Sequence, residues 1–467
     1  MKRRIFGTQS DFHFSMPPVK KKKRLLLINP LNQHKKGLAN RRESLQAPLG
    51  LGIVAALTPD TWDVRIIDEN FRKFKYKEAD LVGITALTAQ SYRAYEIASV
   101  YRKEGIPTVL GGIHANMLPE EASNYVDTVV TGEAETIWPD VIRDFEQGTL
   151  KNRYHGPLSD LKNHPVPRYD LLHPGYIFGS VQTTRGCPMN CDFCSVPMLN
   201  HHTFRLRDIN EVLDELEAIH NKLIYFVDDN LIGADKKSHE HAMALFQGMI
   251  DRKLNKEWFA YASLNVGNNE ELVKLAKESG CRMMLIGIET EKPEQLKETN
   301  KRMNLQIGPE NYHKVVKLLH KHGICVLGTF IVGIDSDTPE DVRNRITYMK
   351  KSPFDVTQGA VMTPFPGTQL YKRIKEENRI LGNNFPENWQ YYSGMDIVFH
   401  PKHMDPDQFA GLIRKLVPGL YSKRLIILKA IRTWWNTRSL HASLWAYQTN
   451  RNFRKLVLEK DITVISK

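Results

Sequence analysis

The feature that most restricts this chain is a succession of short apolar runs and amphipathic segments, met twice over. From residue 25 the runs "LLLIN" (25–29), "VRIID" (64–68), "LVGIT" (81–85), "TVLGG" (108–112) and "TVVTG" (128–132) are separated by helix-like stretches such as "LGLGIVAAL" (49–57). Buried strands alternating with amphipathic helices specify a parallel sheet covered on both faces. Ligands of such sheets gather at the strands' carboxyl ends, here Asn29, Asp68, Thr85, Gly111–Gly112 and Gly132–Glu133. After a proline-rich stretch (155–175), read as a linker or strap, the alternation resumes. "VQTT" (181–184), "IYFVD" (224–228), "WFAYA" (258–262), "MMLIGIE" (283–289), "VLGTFIVG" (326–333) and "QGAVM" (358–362) predict six βα units. Such an array is an incomplete α/β barrel with its chemistry at the strand ends.

The fold class is therefore α/β. The expected organisation is a basic arm (1–24), a doubly wound Rossmann-like domain (25–154), the linker (155–175), a partial (β/α)6 barrel (176–380) and a mainly helical basic region (381–467). At 467 residues several domains are expected. No apolar run approaches the ~18 residues of a membrane span, and the run after Lys20–Arg24 is too short and broken for a signal peptide. Five cysteines, three of them clustered, suit a reducing cytoplasm better than a disulfide scaffold.

The net charge of +12 is concentrated at the ends. Residues 1–24 carry eight Lys/Arg against Asp11, and residues 411–460 carry eleven against Glu459. Basic ends on a near-neutral body suggest an anionic surface as partner, or simply solvated termini.

The clustered cysteines are Cys187, Cys191 and Cys194 in "TTRGCPMNCDFCSVP". Three thiolates can hold zinc, with His201 or His202 completing a tetrahedron. They can also hold a [4Fe–4S] cluster with one iron left open. A loop at the end of the strand that opens a βα array is an active-site address, which favours the cluster. Cys281 and Cys325 read as inert core.

C-x3-C-x2-C with an aromatic, Phe193, before the last cysteine resembles the signature of the radical S-adenosylmethionine (SAM) superfamily. Further segments resemble it in order: "FVDDN" (226–230), "IGIET" (286–290), "GTFIVGIDSDTPED" (328–341) and "TPFPGT" (363–368). The resemblance implies that Cys187, Cys191 and Cys194 bind the cluster and that SAM takes the fourth iron. Reductive cleavage then yields a 5'-deoxyadenosyl radical. It also implies cofactor contacts from Phe193, Asp228, Glu289 and Thr363, and from the backbone between Gly328 and Gly333.

The domain in front resembles the cobalamin-binding domain of B12-dependent radical SAM proteins, so that the likeness covers residues 25 to about 400. Its carriers are "TAL" (85–87), "GGIH" (111–114) and "TGEAE" (131–135), which imply cobalamin contacts at Thr85, Leu87, Gly111, Gly112, Gly132 and Glu133. Corrinoid proteins often carry Asp-x-His-x-x-Gly with His as lower cobalt ligand; here "NQHKKG" (32–37) has His34 at that spacing but Asn32 for the Asp.

Among these proteins "YYSGMDIVFHPKHMDPDQF" (391–409) resembles hopanoid methylases and the anaerobic magnesium-protoporphyrin ester cyclase. The implied reaction is methylation, or another modification, of an unactivated carbon on a hydrophobic lipid, isoprenoid or tetrapyrrole-like substrate. Oxidation or cyclisation without methyl transfer, RNA methylation and a non-catalytic corrinoid sensor are the alternatives. Methylthiolation would need further cysteines, and residues 1–186 have none. A flavodoxin or ferredoxin is the expected electron donor, nucleic acid is not an expected partner, and the basic Trp-bearing segment 422–447 suggests peripheral attachment to the inner face of a membrane. Asp228, Asp229, Tyr261 and His400 are candidate acids or bases by position alone.

Overall fold

The computed structural model describes residues 22–34, 46–459 and 461–465. The basic arm up to residue 21, and residues 35–37 of the "NQHKKG" loop, lie outside the described residues.

The front sheet is parallel and contains β1 (Lys23–Asn29), β2 (Trp62–Asp68), β3 (Leu81–Thr85), β4 (Thr108–Gly111), β5 (Thr128–Gly132) and β6 (Arg153–Gly156). Their spatial order is β2-β1-β3-β4-β5-β6. Successive residues of one strand feed opposite cores, as a period of two requires. Leu25 and Leu27 meet Leu51 and Trp138 on one face, while Leu26 and Ile28 meet Ala94 and Ile97 on the other. Winding reverses between β1 and β3, whose carboxyl ends at Asn29 and Thr85 mark the position where ligands of such sheets gather. The sequence did not suggest β6, whose four residues "RYHG" are too few and too polar to stand out; pairing with β5 holds it.

The strap after β6 runs back over this domain. The Arg168 N–H donates to the Gly52 carbonyl at 3.0 Å, and the Tyr176 hydroxyl to Asp68 at 2.5 Å. The second sheet begins with β7 (Phe178–Val181), three residues earlier than expected. The chain then leaves the sheet for a short antiparallel pair, β8 (Thr184–Gly186) and β9 (Phe204–Leu206), that brackets the cysteine loop. The remaining strands are β10 (Leu223–Phe226), β11 (Glu257–Ala262), β12 (Cys281–Glu289), β13 (Cys325–Val332) and β14 (Val356–Val361). Together with β7 they lie parallel in sequence order, a partial barrel. Met284, Ile286 and Ile288 of β12 bury outward, whereas Leu285 and Gly287 face the interior half-buried.

Two long helices, Lys423–Thr437 and Leu440–Glu459, form a hairpin at the C-terminal end, joined through the left-handed Arg438. The second sets Ala442 and Ala446 against Met283, Leu327 and Val356, and Trp445 lies 5.9 Å from Phe178. It thus closes the barrel's interior at the strands' amino ends. Among the described residues no helix is long and apolar enough to cross a membrane.

Candidate active site

The cysteine loop follows β8 at the carboxyl ends of the barrel strands, and neighbouring strands fix it in place. Two aspartates after β10 hold its root. The Asp228 carboxylate is fully buried and accepts from the Thr183 N–H at 2.7 Å, from the Thr184 N–H, and from both threonine hydroxyls at 3.2 and 3.1 Å. Asp229 accepts from the Gly186 N–H at 3.2 Å, one residue before Cys187. The loop's middle is tied twice. The Asp192 N–H donates to the Thr299 carbonyl at 3.2 Å, and the Leu370 N–H to the Asp192 carbonyl at 3.0 Å. Phe193 packs on Ile331, Met362 and Leu370. Asp228 and Phe193, expected to touch cofactor, are therefore engaged in positioning the loop.

Burial pushes the Cys191 thiol up to about 11 and the Cys194 thiol up to about 12, and raises Cys187 in the same sense. Lys301 pulls all three back. Its ammonium lies 2.7 Å from Glu289 Oε1. Burial opposes that charge, but Glu289 and the Cys191 and Cys194 sulfurs prevail and hold Lys301 above the ordinary lysine range. Sequence reasoning passed over Lys301, because a lysine in "KETNKRMN" looks like any solvated one. Glu289 stands at a register shift with φ of 64°, a left-handed conformation that costs a non-glycine residue of order 1 kcal/mol. Behind it, the buried Arg345 donates to Thr290 at 3.0 Å and to Asp337 at 2.7 Å, joining the "IGIET" and "DSDTPED" segments.

Other expected contacts have different partners. A Cβ on Gly328 would stand 2.8 Å from the Phe354 ring, and one on Gly333 (φ 85°) 2.6 Å from Phe409. Both glycines make room for aromatic packing. Thr363 donates its hydroxyl to the Val361 carbonyl at 3.1 Å. His400 gives its backbone N–H to Arg379 at 2.8 Å.

In the front domain Thr85, Leu87 and Gly111 stand at or just beyond the strand ends next to the switch point. Leu87 is 52% exposed, and a Cβ on Gly111 would meet nothing nearer than the Val130 carbonyl at 3.9 Å. Gly112 and Gly132 stand where neighbouring groups leave no room for a Cβ. A Cβ on Gly112 (φ 92°) would stand 2.7 Å from Thr85 Oγ1, and one on Gly132 (φ 74°) 1.8 Å from the Gly156 carbonyl. Glu133 is held in ion pairs. It pairs with Arg205 at 2.6 Å and Arg185 at 3.0 Å, while Glu135 pairs with Arg185 at 2.8 Å and His164 at 3.1 Å. "TGEAE" is thus an ionic latch from the front domain to β8 and β9, at the root of the cysteine loop.

His34 turns toward the C-terminal region. Its Nε2 lies 3.3 Å from the buried Asp396 carboxylate, and its ring meets Tyr391 edge-on at 4.4 Å. Asn32 donates to the Gln390 carbonyl at 3.0 Å, and Trp389 Nε1 to Glu121 at 2.9 Å. Segment 387–396 therefore straps the barrel to the front domain, and His34 takes part in that contact.

Do these residues fit the groups expected of them? Among the described residues no three His, Cys, Asp or Glu side chains converge on one metal-ion position. His201 and His202 are exposed on left-handed backbone. Three soft thiols without a nearby imidazole suit the corners of an iron–sulfur cluster better than a closed zinc tetrahedron. Asn230, buried beside Cys187, turns its side-chain amide to that sulfur and favours the thiolate, the form in which a cysteine binds iron. The exposed Leu87 and the open ground before Gly111 suit a bulky corrinoid.

A three-thiol loop in a partial barrel, latched to a doubly wound domain, defines a radical SAM enzyme with a cobalamin-binding domain. The radical SAM superfamily profile matches residues 181–349, and the B12 binding domain profile residues 35–142. Over 430 residues the chain is 30% identical to bacteriochlorophyllide d C-12(1)-methyltransferase of Chlorobaculum tepidum, spanning 87% of this chain and 89% of that protein. It is 26% identical to hopanoid C-2 methylase of Rhodopseudomonas palustris, spanning 76% and 69%. Its fold matches the radical SAM methyltransferase TsrM from Kitasatospora setae, solved with cobalamin and a [4Fe–4S] cluster, at TM-score 0.68 and 18% identity over 92% of this chain and all of that one. The chain belongs to the family of cobalamin-binding radical SAM enzymes, whose cofactors are a [4Fe–4S] cluster, SAM and cobalamin.

Proposed function

We propose that the protein transfers a methyl group to an unactivated carbon of a rigid hydrophobic substrate, of tetrapyrrole or polycyclic isoprenoid type. The barrel's inner face carries the substrate class. Tyr225 stacks on Phe259 at 4.9 Å, and Tyr261 meets them edge-on at 5.6 and 5.9 Å. Phe259 and Tyr261 remain only half-buried. Such a wall offers large apolar area and ring faces to a flat or fused-ring body. The names of the relatives, a bacteriochlorophyllide methyltransferase and a hopanoid methylase, agree with that class.

When bound, the cluster and SAM supply the 5'-deoxyadenosyl radical and cobalamin supplies the route for the methyl carbon. Cys187, Cys191 and Cys194 hold the cluster. Asp228, Asp229 and Phe193 position their loop, and Lys301 orients Glu289 toward the SAM nucleoside. Thr85, Leu87 and Gly111 border the cobalamin. A flavodoxin or ferredoxin delivers the electron, and a greasy substrate is met at a membrane surface.

The test is anaerobic. Protein reconstituted with iron, sulfide and hydroxocobalamin is given SAM, reductant and either a bacteriochlorophyllide or a hopanoid. Formation of 5'-deoxyadenosine with S-adenosylhomocysteine and a substrate heavier by one methylene is expected. Deoxyadenosine without S-adenosylhomocysteine would favour oxidation or ring closure. Cys191→Ala should abolish deoxyadenosine; its persistence would defeat the reading.

A further inference from the structure

Nine of the sixteen large apolar side chains exposed among the described residues fall between Ile427 and Leu458, on the C-terminal hairpin. They are not scattered. On the first helix Ile427, Leu428, Ile431, Trp434 and Trp435 recur three or four residues apart, opposite a buried face of Ile426, Lys429, Thr433 and Thr437. On the second, Leu440, Leu444 and Tyr447 form the same kind of stripe, opposite Ala442, Ala446 and Asn450. Each helix thus has one face packed on the barrel and an apolar face left exposed among the described residues.

The surroundings of these stripes are cationic. Lys423, Arg424, Arg438, Arg451 and Lys455 are exposed around them, and Glu459 is the sole acidic residue from 411 to 460. Arg438 stacks on Trp435 at 4.5 Å, at the turn between the helices. Apolar stripes bearing tryptophan and edged by Lys and Arg match the boundary of an anionic bilayer, where rings and aliphatic tips enter the headgroup layer and cations meet phosphate. A second protein would have to supply acidic groups around an apolar centre; the lipid surface has both by composition. Neither helix can span, so the hairpin would lie in the interface.

We infer that this hairpin docks the enzyme on an anionic lipid surface. The inference deepens the proposed function and rests on its hydrophobic substrate. The helix that presents Leu440, Leu444 and Tyr447 outward also lines the barrel's interior through Ala442, Trp445 and Ala446. One helix therefore separates membrane from reaction chamber.

Flotation of the full-length reconstituted protein with phosphatidylcholine vesicles, with and without phosphatidylglycerol, tests this. The wild type should float with the anionic vesicles, less so as salt is raised, and little with phosphatidylcholine alone. The triple variant I431S/W434S/W435S, changed only at exposed positions, should lose roughly tenfold or more in affinity. Absence of wild-type flotation, or equal flotation by the variant, would overturn the proposal. So would a concentration-dependent dimer, seen by light scattering, that the variant abolishes, since a second copy would then own the surface. Deoxyadenosine formation, measured in parallel without vesicles, should be unchanged in the variant; its absence from the wild type would fault the catalytic reading and leave the flotation result standing.

Discussion

Asp228 and Thr183 are joined at 2.7 Å, a wholly buried carboxylate accepting the backbone N–H of a residue four places before Cys187. One side chain at the end of β10 thereby fixes the path into the cluster loop. Burial pushes this carboxyl from 3.8 up to about 6, against four donors that hold it down. The native state accordingly binds the proton more tightly than the unfolded chain. Stability from this group is greatest below about pH 4 and falls by about 3 kcal/mol as pH rises through 6. Asp228→Asn removes that slope. The wild-type advantage over the variant, from anaerobic urea unfolding of the iron-free protein, should shrink between pH 4 and 6 and then level off. The variant should also retain less iron after reconstitution, because its amide presents N–H groups to the Thr183 and Thr184 donors.

The latch between the two domains has the opposite pH sign. Burial works against the Glu135 charge, but His164 and Arg185 overcome it and hold the carboxyl down to about 2, from 4.5. Its contribution is present above about pH 4.5 and is lost as pH falls through 2, some 3 kcal/mol in all. Arg185→Ala should cost about 3–5 kcal/mol by leaving Glu133 and Glu135 short of charge. It should also loosen the domains, so that trypsin cuts the strap at Lys162 or Arg168 sooner than in the wild type. An unchanged cleavage rate would mean that segment 387–396 holds the domains together unaided.

His34→Ala separates the two roles open to that residue. With Nε2 on Asp396 at 3.3 Å, the imidazole is part of the strap, and the prediction is that it does not serve cobalt. The electron paramagnetic resonance spectrum of bound cob(II)alamin should be the same in variant and wild type, without coupling to an imidazole nitrogen. Thermal stability should fall by about 1–2 kcal/mol. Nitrogen coupling in the wild type that disappears in the variant would restore the ligand.

Eleven of the fourteen strands were readable from the chain, β7 only to within three residues, because burial on both faces of a parallel sheet demands apolar runs bounded by turn residues. β6, β8 and β9 were not, since "RYHG", "TRG" and "FRL" are short, carry an arginine each and are held by a neighbouring strand. The three cysteines announced themselves by spacing. What the glycines do was hidden, because Phe354, Phe409 and Gly156, which crowd Gly328, Gly333 and Gly132, come close only in the folded chain. The same holds for His34, whose partner Asp396 belongs to the far end of the sequence, and for "TGEAE", whose arginines lie in another domain.

Lys301 offers the sharpest division between stability and cofactor loading. Its ammonium touches Glu289 at 2.7 Å and lies near the Cys191 and Cys194 sulfurs. Lys301→Met leaves the buried Glu289 carboxylate without its cation, a loss of about 3–5 kcal/mol. It also removes the charge that favours the thiolates, and iron can be bound only by deprotonated sulfur. Adding Glu289→Gln to Lys301→Met removes the stranded charge, so much of the stability should return on urea unfolding. Iron and sulfide content should stay low, because the thiols still lack their cation. If loading recovers together with stability, Lys301 acts through Glu289 alone. If neither recovers, the ammonium must be holding the loop through contacts other than this pair.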